Sequence, residues 1–348
     1  MRTADSPNAL ARILIAPALI YIGAVIGVPF ILSLWFAVSD VTVSSAAGNF
    51  VGLENFRSAL DDPSFRRALR NTFLFAVVSQ VIVVILATTL AVALQKDFKG
   101  KWVVRLLILL PWVAPVSLGS IGWLWILDSI YSVINYGLYH WVHVCGPEPG
   151  MTSCPVWLGQ PSLAMASIIG VQVWRTLPLA TVINLGGLSS IPQDIHDAAS
   201  IDGAGFFRTM FQITIPLVLP ILLVAVLFGF VFAFTDMIVV WVLTRGGPYD
   251  MTQVLASLAF FKGIDGGDLA GASAIALFLF PVLAAAAILL LRLARRQTTS
   301  ARRARRSMRM AAAASTGKRK SAIAEAPARS PPSMPLKNAS DASTCVMS

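Results

Sequence analysis

The chain is short of charge. Only 13% of its 348 residues are Asp, Glu, Lys or Arg, while 56% are hydrophobic. Soluble domains carry roughly 25% charged residues, so the composition excludes an ordinary soluble enzyme or binding module. Cysteine is also scarce, and three cysteines exclude a small disulfide-stabilised secreted fold. Cys145 and Cys154 flank one short polar segment, and the sequence leaves open whether they are bridged or reduced.

Motifs for nucleotide hydrolysis and for enzyme chemistry are missing as well. The phosphate-binding pattern GxxxxGK[ST] does not occur, nor do the patterns of a serine nucleophile elbow or a zinc-binding helix. We therefore expect that the chain is not an enzyme and binds no metal, ATP or other cofactor of its own. His140 and His143 have a spacing found in metal sites, but few further ligands lie near them. A plain external loop is favoured over a membrane-embedded enzyme.

Positive charge is concentrated at one end of the chain. Residues 292–348 hold 13 Lys and Arg against 2 acidic residues, whereas the other 291 residues hold 14 basic and 15 acidic groups. The body of the chain therefore lacks the basic, aromatic-rich face that nucleic-acid binding needs. Segment 294–348 has no aromatic residue and is rich in Ala and Ser, which predicts a disordered cytoplasmic tail. A membrane domain is predicted for residues 1–293.

Long apolar runs make up most of that domain. A helix needs roughly 20 apolar residues to cross a hydrocarbon core about 30 Å thick, and the runs predict six spans and an all-α integral membrane protein. The predicted spans are 11–38, 71–94, 102–127, 162–189, 217–243 and 270–293. Prolines such as Pro111 and Pro115 predict interruptions, which membrane helices tolerate when neighbouring groups satisfy the freed carbonyls.

Basic residues near the span ends predict the orientation. Lys96, Lys99, Lys101 and Arg105 lie at the second connection, and many more follow the sixth span, while residues 128–161 contain no Lys or Arg. We therefore expect both termini, the second connection and the fourth connection to face the cytoplasm. Arginines in the first connection oppose this orientation, but neighbouring acidic residues balance them.

The fourth connection contains a polar stretch, residues 193–216, with the sequence QDIHDAASIDGAGFFRTMFQITIP. Six of its residues have an informative spacing, and these are Asp197, Ala198, Ala199, Gly203, Ile213 and Pro216. Their spacing resembles the EAA loop, EAA-x3-G-x9-I-x-L-P, of membrane subunits of binding-protein-dependent ABC importers. Asp197 stands where that family prefers Glu, and Ile215 where it prefers Leu.

Local chemistry predicts two short helices within this stretch. Gly203 is expected to bend the chain between them, because glycine adopts conformations closed to other residues. Phe207 and Phe211, four residues apart, fall on one face of the second helix. Pro216 is expected to end the polar segment and to begin the fifth span. Exposed apolar side chains of this kind suit either a partner site or an amphipathic connector in the membrane interface. The resemblance to the EAA loop, together with the position of the stretch among the spans, favours the partner site.

The resemblance to importer permeases extends from about Leu10 to Arg292. It is carried by further segments in the family's order: FVGLENFRSALDDPSFRRALRNT from Phe50, LLPWVAPV from Leu109, VWRTLPLATVINLGGLSSIPQDI from Val173 and LTRGGPYDMT from Leu243. These segments look most similar to the first permease of maltose-type, trehalose-type and glycerol-phosphate importers.

That resemblance implies a type I ABC importer permease fold in a bacterial cytoplasmic membrane. It implies that a separate ATPase docks on Asp197, Ala198, Ala199, Gly203, Phe207, Phe211, Ile213 and Pro216. The partners it implies are two ATPase subunits, which hold ATP and Mg, a second homologous permease and an extracytoplasmic solute-binding protein. The implied substrate is a carbohydrate, either a sugar or a polyol.

Polar residues inside the fourth and fifth spans are candidates for the substrate path, because an unpaired charge within a membrane is costly. In the family that the chain resembles, the sugar site lies mid-membrane on these two helices. Gln172, Thr176, Phe232 and Asp236 are the candidates here. Asp236 has an equally simple alternative role, which is to pair with Arg175 or to cap a neighbouring helix.

A stand-alone secondary transporter is the alternative function. In it, Arg175 and Asp236 would form an ion relay, and no ATPase would be needed. Such transporters are often built from internal repeats, and no repeat longer than a helix is visible in the sequence. An importer subunit is therefore the preferred hypothesis.

Overall fold

The computed structural model describes residues 7–45, 48–129, 132–143, 145 and 154–294. Within these ranges the chain is helical apart from its connections, and two isolated bridges, Ser39 with Phe50 and Thr42 with Ser45, are the only strand-like pairings. Five helices are long and apolar enough to span a membrane, and a sixth span results when one bent helix pair is counted as a single crossing. The predicted all-α membrane class is confirmed. The predicted tail lies outside the described residues, except for Ala294.

The spans, called first to sixth below, are Ala11–Ala37, Pro63–Gln95, the bent pair Lys101–Val113 and Val116–Ile126, Pro161–Ser189, Phe206–Phe234 and Leu269–Ala294. Shorter α-helices are Glu54–Asp61, Val133–Gly137, Gln193–Ile201, Ile238–Leu243 and Leu255–Phe260, and π-helical turns include Leu138–Val142 and Phe261–Asp265.

The third span, predicted over residues 102–127 with interruptions at its prolines, is a sharply bent pair of helices. Its two halves meet at 99°. Ala114 is extended, with ψ 138°, and Pro115 directly precedes the second half, which begins at Val116. The residue before a proline avoids the helical region for steric reasons, so the bend follows Ala114. Pro111 remains inside the first half.

The fifth span was predicted at 217–243 and is shifted towards the N-terminus. It runs Phe206–Phe234, and a π-helical segment, Thr209–Thr214, precedes Pro216. Proline lacks an N–H and leaves a carbonyl of the preceding turn without its partner, and a wider π turn accommodates such a defect. The helix therefore passes through Pro216 without a break. The prediction of a second short helix separate from the fifth span was wrong.

The centre of the bundle is the contact between the second and fourth spans, and the fifth span packs against both. Along the second span Ala68, Ala76, Ala87 and Ala91 are completely buried. Small side chains let membrane helices approach closely. Larger fully buried side chains, among them Phe65, Phe75, Ile168 and Phe234, fill the remaining space.

The first span makes few contacts with the rest of the chain. Nearly all its large side chains are exposed, and its ring contact is between Phe30 and Phe280, with centroids 5.7 Å apart. The span is anchored at its C-terminal end, where Ala37 is buried and Asn55 Nδ2 donates to the Ala37 carbonyl at 3.0 Å.

The connections separate into two ends of the bundle. At one end, Val43 N–H donates to Gly267 O at 2.9 Å, which joins the first connection to the segment before the sixth span. At the other end, Lys96 of the second connection and His196 of the fourth line the same cavity, so these two connections lie side by side. This grouping is the one that alternating membrane crossings require.

Candidate functional site

The 193–216 segment begins with a helix, Gln193–Ile201, that ends in a tight turn. Gly203 has φ +70°, and its N–H donates to Ser200 O at 3.1 Å. Positive φ is readily adopted by glycine and disfavoured for residues with a Cβ. A Cβ built on Gly203 would meet no atom within 4 Å. Glycine is therefore required here by the backbone conformation and not by lack of space.

The Asp-Ala-Ala group lies on this helix with two residues outward and one inward. Asp197 and Ala198 are exposed, whereas Ala199 is 5% exposed. Asp197 Oδ1 accepts a hydrogen bond from Gln193 Nε2 at 3.3 Å, one turn earlier. The carboxylate and one methyl group are thus presented to the exterior, while Ala199 lets the helix lie close to the rest of the chain.

Large apolar side chains surround the Gly203 turn. Ile201 is 86% exposed, and Phe206, Phe207 and Phe211 are also exposed. The three phenylalanines line an open cavity of 480 Å³ between the second and fifth spans, which Thr88 also lines. The shared face predicted for Phe207 and Phe211 is therefore seen, although it belongs to the fifth span. Exposed apolar surface of this kind marks a contact with a partner or with lipid.

The last two residues of the predicted set lie apart from the Gly203 turn. Ile213 is half-buried in the π-helical segment, and Pro216 is exposed within the fifth span. Both residues therefore belong to a continuous helix that leads from the turn into the membrane domain. Displacement of the turn would act directly on the fifth span.

Gln172 and Thr176 lie one turn apart on the buried side of the fourth span. Thr176 Oγ1 donates to Gln172 O at 2.8 Å. The Gln172 side chain is fully buried, and among the described residues neither of its amide atoms has a hydrogen-bond partner. A buried polar group without a partner costs about 1–3 kcal/mol. Both residues face the interior of this chain, so they do not line its outer surface.

Asp236 is held by two partners just beyond the end of the fifth span. Arg175 Nη1 donates to Asp236 Oδ2 in an ion pair. Asp236 Oδ1 accepts from the Val239 N–H at 2.9 Å, at the start of helix Ile238–Leu243. Both alternative roles that the sequence left open for Asp236 are thus present, and its carboxylate has partners within the chain.

Phe232 is half-buried and faces the third span. Its ring meets the Trp112 ring edge-on, with centroids 5.5 Å apart. A different pair, Trp123 and Trp174, joins the third span to the fourth, with ring centroids 5.7 Å apart. Sequence reasoning identified Phe232 but did not identify Trp112 as its neighbour, because that contact depends on how the helices pack.

Two further polar groups in the bundle were missed. Asn184 Nδ2 donates to Thr88 Oγ1 at 3.2 Å, which ties the fourth span to the second. Gln80 is buried against Gly229, where a Cβ would overlap the Gln80 Oε1 atom. Amide side chains inside long apolar runs are rare enough to have been a signal.

The third connection contains a disulfide, whose presence the sequence could not decide. Cys145 and Cys154 form a disulfide with Cα atoms 5.0 Å apart. In the same connection the His140 ring stacks on the Tyr136 ring, with centroids 4.1 Å apart. In the part of the chain that the structure describes, no three His, Cys, Asp or Glu residues come together as a metal site.

Comparison with known proteins places these features in a family. The model for "Binding-protein-dependent transport system inner membrane component" matches residues 83–299, which include the whole 193–216 segment. The trehalose/maltose transport system permease protein MalF of Thermococcus litoralis is 32% identical over 78% of this chain and 88% of its own length. The sulfoquinovosyl glycerol transport system permease protein SmoG of Agrobacterium fabrum is 30% identical over 78% of this chain and 85% of its own.

A solved structure has the same architecture. It is the crystal structure of a bacterial ABC transporter involved in the import of the acidic polysaccharide alginate, and one chain superposes with a TM-score of 0.71. The match covers 82% of this chain and 95% of that one at 19% identity. At this identity the likeness concerns the fold alone, and it confirms the type I ABC importer permease fold expected from the sequence.

Proposed function

Because this chain belongs to the family of binding-protein-dependent transport system inner membrane components, we propose that it is one of two permease subunits that enclose the path of a carbohydrate importer. Members of this family are ABC transporter permeases, and a separate ATPase hydrolyses the ATP. The chain is accordingly a multi-pass membrane transport subunit and not an enzyme. Its proposed partners are two ATPase subunits, a second homologous permease and an extracytoplasmic solute-binding protein.

Residues 193–216 form the proposed contact with the ATPase. The observation that supports this most strongly is the exposed Gly203 turn, surrounded by Ile201 and Phe207 and joined without a break to the fifth span. A rigid helix transmits a displacement of its end along its length. Docking at the turn would therefore move the fifth span relative to the second and fourth. Asp197 is proposed to offer an acceptor to the ATPase from the outward side of helix Gln193–Ile201.

The proposed orientation has this turn in the cytoplasm. Disulfides persist in oxidising compartments outside the cytoplasm, and the Cys145–Cys154 bridge lies in the third connection, one crossing away from the 193–216 segment. The basic residues at the second connection share the end of the bundle with that segment. Both observations support a cytoplasmic location for the turn and for both termini.

A carbohydrate is the proposed substrate because the named relatives transport trehalose or maltose and sulfoquinovosyl glycerol. The aromatic pair Trp112 and Phe232 suits a sugar, because ring faces pack against its C–H groups. Since Gln172 and Thr176 face the interior of this chain, we expect them to act through the packing between spans.

Co-purification tests the proposed assembly. The full chain is co-expressed with the ATPase, second permease and binding-protein genes that neighbour it and is extracted in mild detergent. We expect an ATPase and a second permease to remain bound, and ATP hydrolysis in nanodiscs to rise when the binding protein is supplied with its carbohydrate. Recovery of the chain without an ATPase would overturn the proposed coupling, and stimulation only by a non-carbohydrate ligand would overturn the substrate class.

A further inference from the structure

A polar cavity lies at the same end of the bundle as the Gly203 turn and shares no lining residue with the apolar cavity beside the three phenylalanines. It has a volume of 560 Å³ and is formed by the second connection, the end of the fourth span and the start of helix Gln193–Ile201. Its polar lining includes Lys96, Lys101, Arg105 and His196, together with Ser189 and Gln193, and no lining residue is acidic. The cavity is therefore suited to an anion.

The charges that line this cavity are only partly compensated. Lys101 Nζ pairs with Asp97 Oδ1 at 3.0 Å, and Asp97 lies on the exterior, outside the lining. Among the described residues, Lys96 and Arg105 form no ion pair. Lys101 and Arg105 are one helical turn apart and therefore project from the same side of the third span. An anion in the cavity would meet at least two uncompensated basic groups.

The depth of the site distinguishes a lipid from a free anion. A smaller, apolar cavity of 210 Å³ adjoins the basic cavity. The two share Leu94, Arg105 and Leu185, and the apolar cavity continues along Ile108 and Val182. Ile108 follows Arg105 by about one turn of the third span, and Val182 precedes Leu185 by about one turn of the fourth. Both residues therefore lie deeper in the membrane than the basic group. The basic cavity thus opens into the apolar cavity, which forms a groove that runs towards the bilayer centre.

We propose that these two cavities form one binding site for an anionic phospholipid, with the phosphate between Lys96, Lys101 and Arg105 and an acyl chain along Ile108 and Val182. Basic pockets between membrane helices on the cytoplasmic side bind anionic lipid headgroups. The chain's own tail is excluded as occupant, because residues 292–348 carry 13 basic and only 2 acidic residues and would be repelled. A bound lipid joins the second connection to helix Gln193–Ile201, and so stabilises the base of the 193–216 segment.

Lipid retention by the purified full chain tests the site, independently of transport or ATPase coupling. The chain is equilibrated in mild detergent with phosphatidylglycerol or phosphatidylcholine, and retained lipid is counted by native mass spectrometry. We expect phosphatidylglycerol to be retained and phosphatidylcholine to be lost. Removal of each basic charge should weaken retention about fivefold, so the double variant Lys96→Gln with Arg105→Gln should lose about 25-fold.

Matched variants separate this site from general attraction to basic residues. Lys99→Gln removes one charge from the same connection but does not line the cavity, and it should retain phosphatidylglycerol like the unmodified chain. Arg105→Lys keeps the charge and should retain most of the binding. The tail is identical in all variants, so its contribution is constant. Equal losses for Lys99→Gln and for the cavity variants would overturn the proposal.

The acyl groove is tested without any change of charge. Val182→Trp fills the groove while leaving all basic groups in place. Because Val182 is half exposed, the larger ring can be accommodated without disturbing the core. Phosphatidylglycerol retention should fall in this variant. Unchanged retention, or displacement of phosphatidylglycerol by millimolar inorganic phosphate, would show a site for a free anion and would overturn the lipid assignment.

Discussion

Arg175 on the fourth span and Asp236 beyond the fifth span form an ion pair between residues 61 positions apart in the chain. Both side chains are largely removed from water, with 17% and 3% of their surfaces exposed. Because Asp236 also accepts from the Val239 N–H, the pair fixes where helix Ile238–Leu243 begins. The two spans on either side of the 193–216 segment are therefore tied together near the middle of the fourth span, away from that segment.

Removal of one member of this pair should destabilise the protein strongly. Breaking a buried pair from one side leaves a charge without compensation and costs about 3–5 kcal/mol. Asp236→Asn keeps an oxygen acceptor for Val239 and removes only the charge, and Arg175→Gln is its counterpart. Thermal unfolding in detergent should show a large loss for each single variant and a smaller additional loss for the double variant. Single variants as stable as the unmodified chain would contradict a structural role for the pair.

The Gly203 turn should respond to backbone conformation and not to side-chain size. Gly203→Val places a β-branched residue at φ +70° and should disrupt the turn, while Gly203→Asn should retain much of the activity because asparagine tolerates this region. Gly205, with φ −67°, is the matched control, and Gly205→Ala should be neutral. Uptake and ATPase co-purification are the measurements, with surface expression checked for each variant. Loss with Asn equal to loss with Val would argue against a conformational requirement.

The packing of the segment Phe261–Asp265 on the sixth span depends on a second glycine. A Cβ built on Gly263 would lie 2.8 Å from the Cβ of Ala272, and neither atom can rotate away. Gly263→Ala should therefore lower the free energy of unfolding by about 1–3 kcal/mol, the typical cost of overpacking. Adding Ala272→Gly should restore most of it. Gly186→Ala, where no atom lies within 4 Å, is the control and should leave the melting temperature nearly unchanged.

Cysteine labelling tests the orientation of the chain. Because Cys145 and Cys154 are bridged, a membrane-impermeant maleimide should not label intact cells or spheroplasts until an external reductant opens the bridge. Cys345 belongs to the predicted cytoplasmic tail and should react only after the membrane is permeabilised. Labelling of Cys345 in intact spheroplasts would reverse the proposed orientation and would remove the 193–216 segment from the reach of a cytoplasmic ATPase.

The sequence alone determined the class of this protein and the location of its most distinctive segment. Low charge and long apolar runs leave few alternatives to a helical membrane protein, because the bilayer requires each span to satisfy its own backbone hydrogen bonds. The Asp197 to Gly203 spacing is likewise a local property, and so the bend at Gly203 was predictable. The interruption at Pro115 was also predictable from the sequence. The sequence did not predict that the helix passes through Pro216 on a π turn or that Pro111 stays inside its helix, because both depend on the details of hydrogen bonding.

Tertiary structure alone decided which polar side chains have partners. Gln172 and Asp236 look alike in sequence as polar residues in apolar surroundings, yet Asp236 has both Arg175 and the Val239 N–H, while Gln172 has none among the described residues. The basic cavity could not be predicted from the sequence either. Arg105 and His196 lie 91 positions apart, and they line one cavity only because the second and fourth connections lie at the same end of the bundle. Contacts between distant parts of the chain depend on how the spans pack, and local pattern carries no information about that packing.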